Sequence, residues 1–376
     1  MKVGLVAGEA SGDLLGAGLI RAVRERVPDA TFEGVAGPAM MDAGCEKWAD
    51  AEELAVFGLV EPLVHLSRLL RLRRMIAQRW VESPPDVFVG IDAPDFNLGL
   101  EKRLKSAGIP TAHYVSPSVW VWRAGRVNTV RKAADLVLCI LPFEKAIYDR
   151  EGIPAVFVGH PKATSLPDDI DMMSARAMLD VGAGQVVAVL PGSRVSEVKR
   201  LGPVFIDAAG RLAESNSELQ FITPVAGPGL RPLIEHQLGG SDIGQRFKLI
   251  DGDSIEVMSA ADVVMLASGT AALESALLGK PTVAGYAVSK TTAFLARMLG
   301  VNPDYYTIPN IVTREELIPE FIQEDFLAAP LAAATRDFLD SPERRAAVSQ
   351  RFATLREELA LDADARSAEA IIELAR

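Results

Sequence analysis

Short apolar runs alternating with helix-forming stretches, through one half of the chain and again through the other, constrain this protein more than any other feature. In the first half Val3–Ala7, Thr31–Val35, Asp86–Ile91, Ile109–Tyr114, Leu136–Ile140 and Val156–Val158 read as strands. Helices are expected from about Leu14 to Arg26 and up to about Ala107. Small residues at Gly16, Ala17 and Gly18 would let the first helix lie close to a sheet. Strands that are apolar throughout and alternate with helices argue a doubly wound parallel sheet. The second half repeats the plan with Val186–Leu190, Leu219–Thr223, Phe247–Ile250, Val263–Ala267 and Thr282–Gly285. The fold class expected is therefore α/β: two Rossmann-like domains facing across a cleft, over residues 1–165 and 166–340. C-terminal helices over 341–376 would be free to pack back on the first domain. The Pro- and Asp-rich stretch 162–171 suits the linker.

Composition narrows the partners. At 376 residues the chain exceeds what one core usually serves. Its net charge of −11 argues against broad nucleic-acid binding, so any grip on phosphate must be local. Cys45 and Cys139 stand far apart with no metal or disulfide spacing, which fits buried thiols in a reducing cytosol. The N-terminus runs straight into a strand without a signal-peptide pattern, and no apolar run reaches transmembrane length.

In such sheets ligands bind beyond the carboxyl ends of strands, where the unusual loops of this chain fall. Val263–Ala267 ends at Ser268-Gly269-Thr270 and passes into the helix formers 271–278, closed by Gly279 and Pro281. A strand, a small-residue turn and a helix N-terminus make an anion cradle. Thr270 adds a hydroxyl, and Glu274 stands one turn in, where it could accept from a ribose diol. The reading is a nucleotide-diphosphate site; an ordinary βα turn with a solvated Glu competes with it. Arg194, after Pro191-Gly192-Ser193, is the candidate cation for a leaving diphosphate. Asp251-Gly252-Asp253 looks like a metal-binding triplet, but no third ligand is in view and a turn explains it better.

The first half offers carboxylates instead. Gly8-Glu9-Ala10-Ser11-Gly12-Asp13 lacks a P-loop lysine and the full dinucleotide spacing, and Glu9 and Asp13 would repel a pyrophosphate. Sugar hydroxyls suit it better, although Asp13 also reads as a helix N-cap. Asp92 follows its strand directly, with Pro94 stiffening the turn and Asp95 three residues on. A carboxylate fixed there can take a proton from an attacking hydroxyl, whereas Asp95 reads as a turn and cap residue. Ser116, Trp120 and Trp122 form an aromatic loop fit for sugar rings or acyl chains, or for plugging the sheet. Arg123 and Arg126 follow it as phosphate partners. His113 and His160 lie at strand ends within reach of a ligand. His65 and His236 read as incidental.

From Phe57 to Trp80 apolar residues, among them Leu66, Leu69 and Leu70, interleave with Arg68, Arg71, Arg73, Arg74 and Arg79. This reads as an in-plane membrane anchor, or as a core helix with a basic outer face.

Taken together, Gly8–Asp13, Gly90–Asn97, Tyr114–Trp120, Leu141–Glu144, Leu190–Arg194, Ala267–Glu274, Ile308–Asn310 and Pro319–Gln323 closely resemble the lipid-A-disaccharide synthase family. The resemblance implies a GT-B glycosyltransferase that needs no metal or other cofactor. It would join UDP-2,3-diacylglucosamine to 2,3-diacylglucosamine 1-phosphate with inversion, giving a β-1,6-linked disaccharide 1-phosphate and UDP. By matching motif, Asp92 is the candidate base and Glu9 a second essential carboxylate. Arg194, Ser268, Gly269, Thr270 and Glu274 would hold UDP, with Asn310 and Gln323 closing the cleft. Ser11, Asp13, Ser116, Trp120, Arg123 and His160 are acceptor-side candidates, and Leu66, Leu69, Leu70, Arg71, Arg73 and Arg74 membrane-contact candidates. The expected location is the cytoplasm, peripheral to the inner face of the inner membrane, with a homo-oligomer compatible. Lys162-Ala-Thr-Ser165 and Thr313-Arg314 depart from the family pattern and bear on local contacts and acyl or headgroup preference. The rivals are another UDP-sugar enzyme of this fold, such as a UDP-N-acetylglucosamine 2-epimerase, and a non-catalytic sugar-nucleotide or lipid-binding protein.

Overall fold

The computed structural model describes all of residues 1–376 except 55–61, 118, 120–123, 167–170, 228, 242, 253 and 289–303; the side chains of 62–66 and 124 are also outside the description. The chain forms two compact units, Met1–Thr164 with Leu359–Arg376, and Ser165–Glu358. Residues 341–376, expected as one segment of helices, are thus divided between the two. Pro342–Leu359 runs almost wholly in unit 2, and Ala363–Leu374 belongs to unit 1.

Unit 1 is built on seven parallel strands: β1 (Lys2–Ala7), β2 (Thr31–Ala36), β3 (Cys45–Asp50), β4 (Val87–Ile91), β5 (Thr111–Tyr114), β6 (Leu136–Cys139) and β7 (Ala155–Phe157). Their order is β3-β2-β1-β4-β5-β6-β7, so the chain steps outward from β1, then returns to its other side at β4. The register pairs Val6 with Gly90 and Ala7 with Ile91, which leaves Gly8 and Asp92 side by side at the strand ends. Both strands are buried on both faces, which is why they read as unbroken apolar runs. Edge strand β3 carries Glu46, Lys47 and Asp50 and hides from an apolar pattern for that reason.

The helix Ala10–Arg26 covers one face. Gly16 faces Met40 and Ile91, but Gly18 faces Asp364 of the C-terminal helix, where a Cβ would stand 2.3 Å from the carboxylate oxygens. The small residues therefore admit a helix as well as the sheet. Ala368 and Ile371 of that helix join Val3, Leu5 and Leu19 in one core. On the other face Leu69, Ile76, Ala77 and Trp80 of helix Pro62–Glu82 pack against Phe88 and Phe96.

Unit 2 holds six parallel strands: β8 (Val186–Leu190), β9 (Gln220–Val225), β10 (Phe247–Asp251), β11 (Val263–Ala267), β12 (Thr282–Tyr286) and β13 (Glu320–Ile322), in the order β10-β9-β8-β11-β12-β13. Here the direction reverses between β8 and β11, with Leu190 opposite Leu266. Ligand crevices of open α/β sheets lie at such reversals. The loops at both were singled out by sequence.

Candidate functional site

In unit 1 the reversal point opens into a small cavity of about 150 Å³, lined by Gly8, Glu9, Leu54, Asp92, Ala93, Pro94 and Asp95. Asp92 and Ala93 both have left-handed backbone, with φ of 51° and 41°. A non-glycine residue in that region stores about 1–3 kcal/mol of strain, and such residues cluster at functional sites. Gly8 makes the turn feasible, since a Cβ there would lie 2.3 Å from that of Ala93.

A residue that sequence reading missed holds the turn. The amide of fully buried Asn97 donates to the carbonyl oxygens of Val6 (3.3 Å), Ile91 (3.3 Å) and Asp92 (2.8 Å), tying the ends of β1 and β4 together. Its signal was available: an Asn in the first turn of the helix following the strand, where a side chain can reach back. Glu9 is the N-cap of helix Ala10–Arg26 without capping it through its side chain, and it is exposed at the cavity. Ser11 is exposed beside it.

Other candidates have different tasks. Asp13 is not free for a ligand: its oxygens accept from the N–H groups of Gly37 (2.8 Å), Ala39 (2.8 Å) and Met40 (3.0 Å). It caps the helix Pro38–Asp42 rather than the one that contains it. Ser116 is buried, with its hydroxyl 2.8 Å from that of Tyr148. His113 is fully buried, its Nδ1 2.6 Å from Glu101 Oε1, and is not open to ligand. Burial raises the Glu101 pKa. His160 is buried at the end of β7; burial first, and the charge of Lys162 second, bring it down to about 4, so it is neutral at physiological pH. Trp120, Trp122 and Arg123 lie outside the described residues, as does the side chain of Leu66.

The membrane-contact candidates separate. Leu69 is a core residue, 4% exposed, and Leu70 is half-buried. A helix on the sheet must turn an apolar face inward, and Leu69 lies on that face. Arg73 is half-buried, whereas Arg71, Arg74 and Met75 are exposed. No described helix is long and apolar enough to cross a membrane.

In unit 2, helix Thr270–Leu277 begins at Gly269 with no side chain capping it. Gly269 and Thr270 are exposed, Ser268 and Glu274 half-buried. The backbone does not demand a glycine at 269: its φ is 167°, and a Cβ would meet nothing within 4 Å. Across the reversal point, Arg194 heads the helix Val195–Ser215 with its side chain 77% exposed, loosely paired to Glu197 at 3.3 Å. Glu197 also accepts from the N–H groups of Ser193 (3.1 Å) and Arg194 (3.3 Å), so it occupies that loop's own donors. An incoming anion is left the guanidinium.

Asn310 is not a free contact. It is fully buried, donates to Ile318 O and Glu320 Oε1, and accepts from the N–H groups of Leu317 and Ile318. It shapes the approach to β13, after which Gln323 sits half-buried with φ of 56°. Asp251 pairs with Arg231 at 2.9 Å, and Asp253 lies outside the described residues. Among the described residues no group of three His, Cys, Asp or Glu side chains is placed to hold a metal. A larger hollow of about 610 Å³ near Pro203, Ile206, Gln237 and Arg246 contains no strand-end residue. The smaller cavity is the one that gathers carboxylates at a reversal point.

Comparison with known proteins agrees with this arrangement. The family described as lipid-A-disaccharide synthetase matches residues 3–373. The chain is 48% identical to the lipid-A-disaccharide synthase of Xanthomonas campestris pv. campestris, covering 99% of this chain and 86% of that one. It is 46% identical to the synthase of Alkalilimnicola ehrlichii, covering 99% and 98%. Among solved structures it resembles the UDP-GlcNAc 2-epimerase of Neisseria meningitidis bound to UDP-GlcNAc, with a TM-score of 0.62, 13% identity and 99% of each chain covered. A glycotransferase of kitacinnamycin matches with a TM-score of 0.62 and 16% identity, over 99% of this chain and 98% of that one. These structural likenesses establish the GT-B fold.

Proposed function

The chain belongs to the lipid-A-disaccharide synthase family and is a glycosyltransferase; from that premise we propose how its residues divide the transfer. The donor is UDP-2,3-diacylglucosamine and the acceptor 2,3-diacylglucosamine 1-phosphate. Asp92 takes the proton of the acceptor's 6-hydroxyl as that oxygen attacks the anomeric carbon from the face opposite UDP. The bond from the anomeric carbon to the diphosphate oxygen breaks, a β-1,6 linkage forms, and UDP leaves with the electron pair. Glu9 lines the same cavity and orients the acceptor hydroxyls.

Unit 2 receives the leaving charge. The first turn of Thr270–Leu277 presents N–H groups and the positive end of its dipole, and Arg194 can grip two phosphate oxygens at once. Glu274, one turn along, is suited to the ribose diol. The supporting observation is the contrast at the two reversal points. Carboxylates line a concave turn at β1 and β4, whereas an exposed guanidinium and an uncapped helix stand at β8 and β11. Asn310 acts indirectly, by fixing the segment that leads to β13 and Gln323, and Asp13 by fixing the segment Gly37–Met40 that follows β2.

Removing the base should separate turnover from nucleotide binding. Asp92→Asn is expected to lower kcat by about two to four orders of magnitude, a usual range for general-base catalysis. UDP affinity, measured by calorimetry, should stay unchanged. Equal loss of both would remove the assignment. The exposed Arg71 and Arg74 with Met75 form the surface proposed to meet the inner membrane, each arginine contributing roughly 1 kcal/mol at an anionic leaflet. Arg71→Ser with Arg74→Ser should weaken sedimentation with phosphatidylglycerol vesicles, most visibly at low salt. Unchanged sedimentation would refute it.

A further inference from the structure

Two cations that contact Asp95, a lining residue of the unit 1 cavity, have no task in the scheme above. Asp95 lines that cavity three residues beyond Asp92, with its side chain 72% exposed. Arg73, from helix Pro62–Glu82, donates through Nη1 to the main-chain oxygen of Asp95 at 3.5 Å. Arg126, from helix Ala124–Ala133, places Nη2 3.7 Å from Asp95 Oδ1. Both contacts are at or beyond the outer limit of hydrogen bonding, so neither guanidinium is committed.

Arg73 is built into its place rather than left on the surface. It lies on Gly99, where a Cβ would stand 2.4 Å from Nη1. It is half-buried, and no carboxylate side chain among the described residues pairs with it. Burial, with Arg74 alongside, pulls its pKa below the ordinary guanidinium value. Taking a guanidinium partly out of water without a counter-charge is unfavourable, and the position is relieved when an anion arrives. Arg126, with its side chain 25% exposed, is similarly sheltered.

We infer that Arg73 and Arg126 bind the phosphomonoester of the acceptor at the Asp95 rim of the cavity. This rests on the reading that the cavity of Glu9 and Asp92 takes the acceptor. The reacting 6-hydroxyl, carried on C5, and the 1-phosphate, carried on C1, flank the ring oxygen of one pyranose. Holding the phosphate at Asp95 therefore turns the hydroxyl toward Asp92 on the other side of the same short turn. A phosphate dianion offers each planar guanidinium two oxygens, where Asp95 now offers one distant atom. The pair thus selects a phosphorylated acceptor and sets its direction.

The test uses the full-length protein with two acceptors, 2,3-diacylglucosamine 1-phosphate and the same sugar without its phosphate. The parent should prefer the phosphorylated acceptor at least tenfold in kcat/KM. Arg73→Gln with Arg126→Gln should erase most of that preference, leaving the unphosphorylated acceptor and the KM for the UDP donor nearly unchanged. Arg126→Gln alone should lose part of the preference without a change in thermal midpoint. Preference retained in the double variant, or equal loss with both acceptors, would overturn the proposal. A bilayer phospholipid is the other source of phosphate. If the double variant loses sedimentation with phosphatidylglycerol vesicles and keeps its preference, the pair serves the membrane and the proposal falls. Asp92→Asn assayed alongside separates the two readings. Full turnover there would remove the base, while the phosphate preference still decides the arginines.

Discussion

The two reversal points share a topology and little else. Each lies where a parallel sheet changes direction, and each gathers the loops after two neighbouring strands. In unit 1 those loops are strained, anionic and strapped by Asn97. In unit 2 they offer one exposed guanidinium, and the helix tip is exposed and uncapped. Topology settles where a ligand can sit. A few loop residues then decide whether the place suits a hydroxyl awaiting deprotonation or a diphosphate about to depart. Under the proposed function, one fold thus supplies both halves of a transfer reaction.

The sharpest way to break this contrast is at the cation. Arg194→Ala should lower kcat/KM by about two to three orders of magnitude, in line with removing a group that meets developing charge. Because Arg194 is mostly exposed, the thermal midpoint should not move. A retained rate would shift the phosphate site elsewhere.

The glycines give a matched pair of smaller effects. Gly269→Val enters open space in the free protein, so the fold should be intact while UDP affinity drops at least tenfold in calorimetry. Gly8→Ala should act the other way, destabilising unit 1 by about 1–3 kcal/mol through overpacking against Ala93. Urea unfolding reads the second, and the nucleotide affinity of that variant should be normal. If Gly269→Val unfolds and Gly8→Ala does not, the two turns have been read the wrong way round.

A weaker distinction concerns pH. Burial pushes the Glu144 carboxyl, near the end of β6 in unit 1, up to about 8. Its folded pKa lies above its unfolded one, so the folded state holds the extra proton between about pH 4.5 and 8. The contribution is complete below 4.5 and is lost as pH rises through 8. Stability of the parent should therefore decline across that window, and Glu144→Gln should flatten the slope in urea midpoints taken at several pH values. An unchanged slope would place the titration elsewhere.

Much of the fold was legible because strands buried on both faces cannot be written any other way than as apolar runs. The strands that escaped, β3 and β13, are at sheet edges, where charge and short length erase that signature. Loop positions were legible for the same reason as the strands that precede them. Individual roles were less so, because a carboxylate or amide looks alike whether it meets a ligand or the backbone. Asp13 turned out to be spent on main-chain groups 24 to 27 residues away, and Asn310 on the nearby Leu317, Ile318 and Glu320, pairings that only folding creates. Leu69 was misplaced because an amphipathic helix presents the same pattern to a core as to a membrane. Arg73 read as part of a basic face until Gly99 and Asp95 gave it a specific berth.

The division of labour between the reversal points is most directly tested by a crystal structure with UDP bound. The diphosphate is predicted at the Ser268–Thr270 turn within reach of Arg194, with the cavity of Glu9 and Asp92 left open. Diphosphate density against Gly8–Asp13, with the Ser268 turn empty, would contradict the account.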